Sequence, residues 1–302
     1  MTSIPPKSLR ALFLGVPNIV SMGILRGWLL SGHAVAELWY PMRLKGGLDF
    51  KEDRKLSKDM PGVTLHGLEK RQSLKVKPVP KLKDWTHLPK QLSRLKVDVV
   101  ISALYPDLIP KPVLDAFPGR VVNLHPALLP AYRGGTPIAS MLWDRRIHEF
   151  GGMSLHLVEE GFDTGDLLGQ VSAEYGGDGN LTAYYAQLIK GGTNLLSENF
   201  ANYLSGNLQP ISQHGENGPQ SRAFADVFEI SSKDDLEHTV WRIQHVVDLV
   251  PVRLAGLDRS IFVKSIDQLL RPPDGSPPVV GEGWVDFDLS DQRVKFTTGR
   301  LR

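Results

Sequence analysis

Four short, almost uninterrupted apolar runs restrict the fold more than any other feature of the chain. They are Arg10-Ala11-Leu12-Phe13-Leu14-Gly15, Val35-Ala36-Glu37-Leu38-Trp39-Tyr40, Val97-Asp98-Val99-Val100-Ile101-Ser102-Ala103-Leu104 and Val121-Val122-Asn123-Leu124. A strand that is apolar on both faces must be covered on both, as happens in parallel sheets flanked by helices. Helical spacing follows the first run, with Val20, Ile24, Leu25, Trp28 and Leu29 recurring until Gly32, and Asn18 placed to cap. Further helices are expected at 88–95, 112–117 and 137–145. The fold class is therefore α/β with a mostly parallel sheet.

The rest of the chain is read by the same rules. From Met42 to Pro80 apolar residues are sparse, and loops are expected with one short strand at Val63-Thr64-Leu65-His66. Residues 152–160 alternate, Met153, Leu155 and Leu157 against Ser154, His156 and Val158, which predicts a half-buried strand with His156 as a structural or surface residue. A polar turn, Glu159 to Asp166, leads into a strand at 167–173. Asn180 is expected to cap a helix over 181–204. Residues 207–220 are rich in Gly, Pro, Asn and Gln and mark a domain boundary, giving domains 1–206 and 207–302. Beyond it, the pattern predicts a strand at 223–230, a helix capped by Ser231 or Ser232, hairpin strands at 252–257 and 260–266, and two terminal strands. Together they make a small β-rich domain.

At 302 residues the chain is long enough for two domains, and 41% hydrophobic with 23% charged residues is ordinary for a globular protein. Its longest apolar runs fall short of the roughly 20 residues that span a bilayer. No apolar stretch of signal-peptide type opens it, and with no cysteine a reducing cytoplasm is the expected setting. The Gly15-Val16-Pro17-Asn18 turn lacks G-x-G-x-x-G, which argues against a nicotinamide oxidoreductase. Net charge is only +2, but basic residues outnumber acidic ones between Arg43 and Lys96. Such a stretch is either a solvated face or a footprint for phosphates.

The stretch from Val121 to Gly135 carries the chemistry. Asn123 and His125 share one face at the end of a strand, where open α/β sheets place their ligands. Pro126 and Pro130 stiffen the loop that follows. A carboxylate, Asp163 or Asp166, completes a set in which an amide donates to a developing oxyanion, an imidazole moves a proton, and the carboxylate orients that imidazole and raises its pKa. Without a cysteine or a serine elbow, a substrate nucleophile is expected to attack directly, in acyl or one-carbon transfer. One histidine and one distant carboxylate supply too few ligands for a catalytic metal, so none is expected.

The segment Asn123-Leu124-His125-Pro126-Ala127-Leu128-Leu129-Pro130-Ala131-Tyr132-Arg133-Gly134-Gly135-Thr136-Pro137, with Gly161-Phe162-Asp163-Thr164-Gly165-Asp166, resembles the signature pair of formyltransferases that use 10-formyltetrahydrofolate. The likeness runs from about Leu9 to Leu204 and is strongest to the methionyl-tRNA formyltransferases, with the sugar-nucleotide enzymes beside them. The resemblance implies a Rossmann-like catalytic domain with Asn123, His125 and Asp163 as its catalytic trio. It implies 10-formyltetrahydrofolate as co-substrate, lined by Leu104, Tyr105, Leu108, Ile109, Leu128, Leu129, Pro130 and Gly161. It further implies an OB-like C-terminal domain, here short for a complete barrel. The basic insert with Arg43, Lys45, Lys51 and Arg54, together with Arg133, would face the acceptor. That acceptor is expected to be methionyl-tRNA; an amino-sugar nucleotide or another small amine is the alternative, and an inactive folate- or RNA-binding relative the reading of another class. Two positions depart from the pattern: Ala127 replaces the usual serine, and Asp248-Leu249-Val250-Pro251 stands where Asn-Pro-Trp-Pro is usual.

Overall fold

A computed structural model describes residues 8–44, 48–213, 218–222, 228–258 and 260–300. Lys45 and the expected strand start at 223–227 lie outside the described residues. The elements run β1 (Arg10–Gly15), α1 (Ile19–Leu30), β2 (Ala34–Pro41), α2 (Leu48–Leu56), α3 (Leu65–Gln72), β3 (Val76–Val79), α4 (Leu88–Leu95), β4 (Val99–Ala103), α5 (Lys111–Ala116) and β5 (Val121–His125). There follow α6 (Pro137–Trp143), α7 (Ile147–Phe150), β6 (Gly152–Leu157), β7 (Leu167–Ser172), α8 (Thr182–Asn194), a π-helical stretch Leu195–Phe200 and α9 (Ala201–Leu204). The chain closes with β8 (Phe228–Ile230), α10 (Leu236–His245), β9 (Val252–Leu254), β10 (Ile261–Arg271), β11 (Val279–Gly281), β12 (Trp284–Asp288) and β13 (Arg293–Arg300).

Seven strands form one sheet in the order β3-β2-β1-β4-β5-β6-β7. Strands β1 to β5 pair in parallel, and β6 and β7 continue the sheet antiparallel. The apolar runs behave as their composition requires: all of β4 and all but the first residue of β1 are buried. Asn18 caps α1 as expected, accepting from the Ser21 N–H at 2.9 Å. On one sheet face, Leu12, Leu14, Trp39 and Val100 form a core with Leu88, Leu92 and Leu95 of α4 and Val113 of α5.

The segment 42–80 departs from the sequence reading, since it holds α2, α3 and β3 where loops and a strand at 63–66 are expected. The cause is a side chain from twelve residues away. Asp53, buried on α2, accepts from the N–H groups of Leu65 at 2.6 Å and His66 at 2.9 Å, and Thr64 accepts from Gly67 N at 3.3 Å. These bonds satisfy the orphan donors that open α3 and turn Val63 to His66 into a helix start. Asp53→Ala is expected to cost about 1–2 kcal/mol in urea unfolding, the usual loss for a cap; an unchanged midpoint and slope would remove that explanation.

Contacts divide the chain into two compact units, 1–135, 150–176 and 181–220 in the first, 136–149, 177–180 and 221–302 in the second. The first contains the large sheet. Its long helix differs from expectation: Leu181, not Asn180, stands at the cap position, and the helical run passes through the π stretch before α9. Asn180 instead closes an Asx turn, its N–H donating to Asp178 at 2.9 Å. At the π stretch, Asn199 Nδ2 donates to the carbonyl of Leu168 at 2.8 Å.

The second unit has a four-stranded antiparallel sheet, β10-β13-β12-β11, and a separate parallel pair, β8 and β9. The β-rich character is as expected, but 252–257 and 260–266 form no hairpin, since β9 pairs with β8 and β10 with β13. Asp235 caps α10, accepting from His238 N at 2.8 Å. Ser231 instead bonds Asp234, so neither expected serine serves as the cap. No described helix is long and apolar enough to cross a membrane.

Candidate active site

The site grows from one cross-strand pair. Antiparallel register places Asn123 opposite His156 and His125 opposite Ser154. Residues two apart on a strand share a face, so β5 and β6 together carry four polar side chains on one face. The alternation in 152–160 predicts a half-buried strand with His156 structural or at the surface; in the structure Ser154 is fully buried and His156 is only 2% exposed. A polar cluster under loops and a watered surface give the same period-two pattern, which is why sequence reasoning missed His156 as part of the site.

Asp163 enters from the turn after β6 and closes the cluster. Asn123 Nδ2 donates to Asp163 Oδ1 at 3.0 Å and to His156 Nε2 at 3.1 Å, so both its hydrogens are committed. His156 Nδ1 donates to the Leu157 carbonyl at 2.7 Å, which assigns Nε2 as the accepting nitrogen. The Gly134 N–H donates to Asp163 Oδ2 at 2.9 Å, and His125 Nδ1 lies 3.4 Å from the same oxygen. His125 Nε2 donates to the Tyr132 carbonyl at 2.8 Å. Asp163 has φ +54°, in the left-handed region that costs a residue with a Cβ.

Charge in this cluster is set by burial and by three neighbours. Burial favours a neutral Asp163, but His125 and the N–H groups that Asn123 and Gly134 aim at its two oxygens outweigh it and hold the carboxyl well below its usual range. His125 moves the other way from the sequence reading. Burial lowers its pKa more than Asp163 raises it, so the resting imidazole is neutral near pH 7. With Nε2 donating to Tyr132, the lone pair sits on Nδ1, facing the carboxylate beyond hydrogen-bond distance. A proton arriving at Nδ1 makes that contact a charge-assisted bond. The geometry therefore suits a base whose conjugate acid is stabilised once formed.

The other expected positions are distributed unevenly. Leu104, Leu108, Leu128 and Pro130 are half-buried and Gly161 is exposed. Tyr105 and Ile109 pack in the core cluster with α4 and α5, because alternating side chains in 104–109 cannot all face one way. The Tyr105 hydroxyl is buried without a protein partner, and burial pushes its pKa up. Leu129 is buried, and its loop is held by a small network: Ser154 Oγ donates to the Ala127 carbonyl at 2.6 Å and accepts from Leu129 N at 3.0 Å. Gln170 Nε2 donates to Ser154 Oγ and the Leu129 carbonyl, both at 2.8 Å. Of the expected acceptor-facing cations, Lys51 and Arg54 are exposed on α2. Arg43 is paired with Asp107 at 2.6 Å, and Arg133 donates to Gln213. Asp166, the alternative carboxylate, accepts from Ser212 at 2.8 Å, whereas Asp163 makes the contacts to Asn123 and His125.

Residues 70–199 match the formyl transferase family. Methionyl-tRNA formyltransferase of Bacillus velezensis is 31% identical over 206 residues, 68% of this chain and 61% of its own length. That of Geobacillus thermodenitrificans is 29% identical over 209 residues, 68% and 60% of the two chains. The chain thus spans about three fifths of the length of the curated relatives it matches. Among solved structures, an N-formyltransferase from Helicobacter canadensis in complex with folinic acid and dTDP-3-aminofucose superposes with a TM-score of 0.59 at 13% identity, covering 96% of this chain and 98% of that one. HypX from Aquifex aeolicus gives a TM-score of 0.61 at 16% identity over 98% of this chain and 45% of that one. At such identities these two likenesses concern the fold.

Proposed function

We propose that this chain, which through residues 70–199 belongs to the formyl transferase family, is an N-formyltransferase acting between 10-formyltetrahydrofolate and the amino group of methionyl-tRNA. The observation that carries the reading is the meeting of Asn123, His125 and Asp163, brought forty residues together by the fold. The donor fits the residues present: an amide, an imidazole and a carboxylate meet what transfer between two nitrogens needs, and half-buried Leu104, Leu108, Leu128 and Pro130 offer apolar surface to a ring. The folate supplies the formyl carbon. A cytoplasmic setting accords with a chain free of cysteine.

Each side chain then has a definable task. As an amine attacks a formyl carbon, its carbonyl oxygen becomes negative, and Asn123 Nδ2 is the donor placed to meet it by releasing one of its two resting bonds. The proton the amine must lose reaches His125 Nδ1 by way of Asp163 Oδ2, 3.4 Å from that nitrogen, and the carboxylate then faces and stabilises the cation it has made. The same proton returns to the departing nitrogen, so the enzyme ends unchanged. His156 keeps the Asn123 amide turned with its NH₂ toward Asp163. His156→Leu strands one of those N–H groups, about 1–3 kcal/mol for a buried donor, so turnover is expected to drop roughly tenfold; His156→Gln, which restores an acceptor, is expected to recover most of it.

The amino-sugar nucleotide is favoured as a second reading by one observation, the engagement of Arg43 and Arg133 by Asp107 and Gln213. The neighbour from Helicobacter canadensis, crystallised with such an aminosugar, has the same fold. The test is transfer of labelled formyl from 10-formyltetrahydrofolate to methionyl-tRNA and to amino-sugar nucleotides, across a salt series. Formylated methionyl-tRNA with an affinity falling steeply with salt is expected, because phosphate contacts release counterions. Transfer to the sugar alone, with a flat salt response, would replace the acceptor. No transfer to any amine would end the enzymatic reading.

A further inference from the structure

Residues 211–213 run beside the Asp163 turn and are tied to it at each step. Leu167 and Ile211 exchange both backbone hydrogen bonds, at 2.7 and 2.8 Å, and Ser212 Oγ donates to Asp166. Gln213 goes further. Its Nε2 donates to the carbonyls of Asp163 at 3.0 Å and Gly165 at 2.6 Å, while its Oε1 accepts from Arg133 Nε at 3.2 Å and Nη2 at 2.7 Å. Both hydrogens and the oxygen of one amide are thus in use, joining the turn that carries Asp163 to the loop that carries Arg133. The residue after Arg133 is Gly134, whose N–H donates to the Asp163 carboxylate.

We infer that Gln213 is a positioning residue for Asp163. A left-handed, non-glycine conformation persists when its surroundings over-determine it. Two bonds to the carbonyls at and after Asp163 fix the backbone, and the bridge to Arg133 keeps Gly134 at the distance where its N–H reaches the carboxylate. Gln213 touches no reacting atom; it acts by holding Asp163 in reach of Asn123 and His125 together. The kinetic part of the test rests on the formyl-transfer reading, and the spectroscopic part does not.

Two variants of the full chain separate the roles. Gln213→Glu keeps an oxygen for Arg133 but loses both donors and sets a carboxylate against two carbonyls; Gln213→Leu loses everything. With a misplacement of about 1 Å worth roughly 10²-fold, both variants are expected to lose on the order of 10²-fold in kcat with KM for the formyl donor within about threefold. The ¹⁵N signals of the His125 ring are expected to shift in both, since its charged neighbour has moved. Near-normal kcat in Gln213→Glu, or unshifted His125 signals in the folded variants, would overturn the inference. If the wild-type chain formylates no amine, the functional reading fails while the His125 signals still decide the case for Gln213.

Discussion

Asp163→Asn is expected to lower turnover by roughly 10²-fold or more, the scale of losing a group that organises an oxyanion site. The substitution keeps the volume and changes the hydrogen-bond sense. Asp163 Oδ1 accepts from Asn123 and Oδ2 accepts from Gly134 N, so an amide at this position turns one acceptor into a donor facing a donor. It also removes the charge that stabilises His125 once Nδ1 takes a proton. Formyl-transfer kinetics on the purified variant check this, and turnover within about threefold of wild type would remove Asp163 from the mechanism.

The same cluster fixes how stability depends on pH. His125 titrates below its ordinary 6.5 in the folded chain because of burial, so on acidification the unfolded state takes up the proton first. Its contribution is complete above about pH 6.5 and shrinks as pH falls toward the lowered folded value. Asp163, held below its ordinary 3.8 chiefly by His125 against the cost of burial, adds stability that is full above about pH 4 and lost in stronger acid. Both effects have the same sign. Urea unfolding of the wild-type chain is expected to show falling stability from pH 7 to 4, and a flat or rising profile would contradict the assignment of a neutral, buried His125.

Those parts of the molecule whose causes are local were legible in the sequence. Strands β1, β2, β4 and β5 followed from continuous apolar runs, and the start of α1 from Asn18. Asn123 and His125 were readable because two polar residues at period two interrupt an otherwise buried strand. What could not be read has causes distant in sequence. Helix α3 depends on Asp53, whose cap is made across a dozen residues, and windowed periodicity cannot contain it. The site role of His156 was not legible because alternation marks a polar side of β6 but cannot say whether water or a carboxylate lies on it, which leaves the residue structural or at the surface. Gln213 was hidden inside a Gly- and Pro-rich stretch read as a boundary, where composition spoke of exposure and a single side chain makes the difference.

Gly165→Ala is expected to damage both the fold and the activity, and the reason lies in close approach. A Cβ at Gly165 would overlap the Leu157 carbonyl oxygen and lie 2.8 Å from its carbon, both backbone atoms with little freedom at the end of β6. That same carbonyl accepts from His156 Nδ1 and so fixes which ring nitrogen faces Asn123. The Gly165 carbonyl, in turn, is one of the two held by Gln213. Relieving the clash therefore has to move the Asp163 turn, β6, or both, at a cost of about 1–3 kcal/mol for overpacking and about 2–4 °C of Tm per kcal/mol in a unit of this size. Gly161→Ala provides the contrast within the same turn, since a Cβ there meets the Thr164 side chain, which can rotate away, and its loss of Tm is expected to be the smaller. Thermal unfolding of the two variants side by side tests the comparison. Equal Tm values, or wild-type turnover in Gly165→Ala, would mean that the turn is not held against β6 as the distances require.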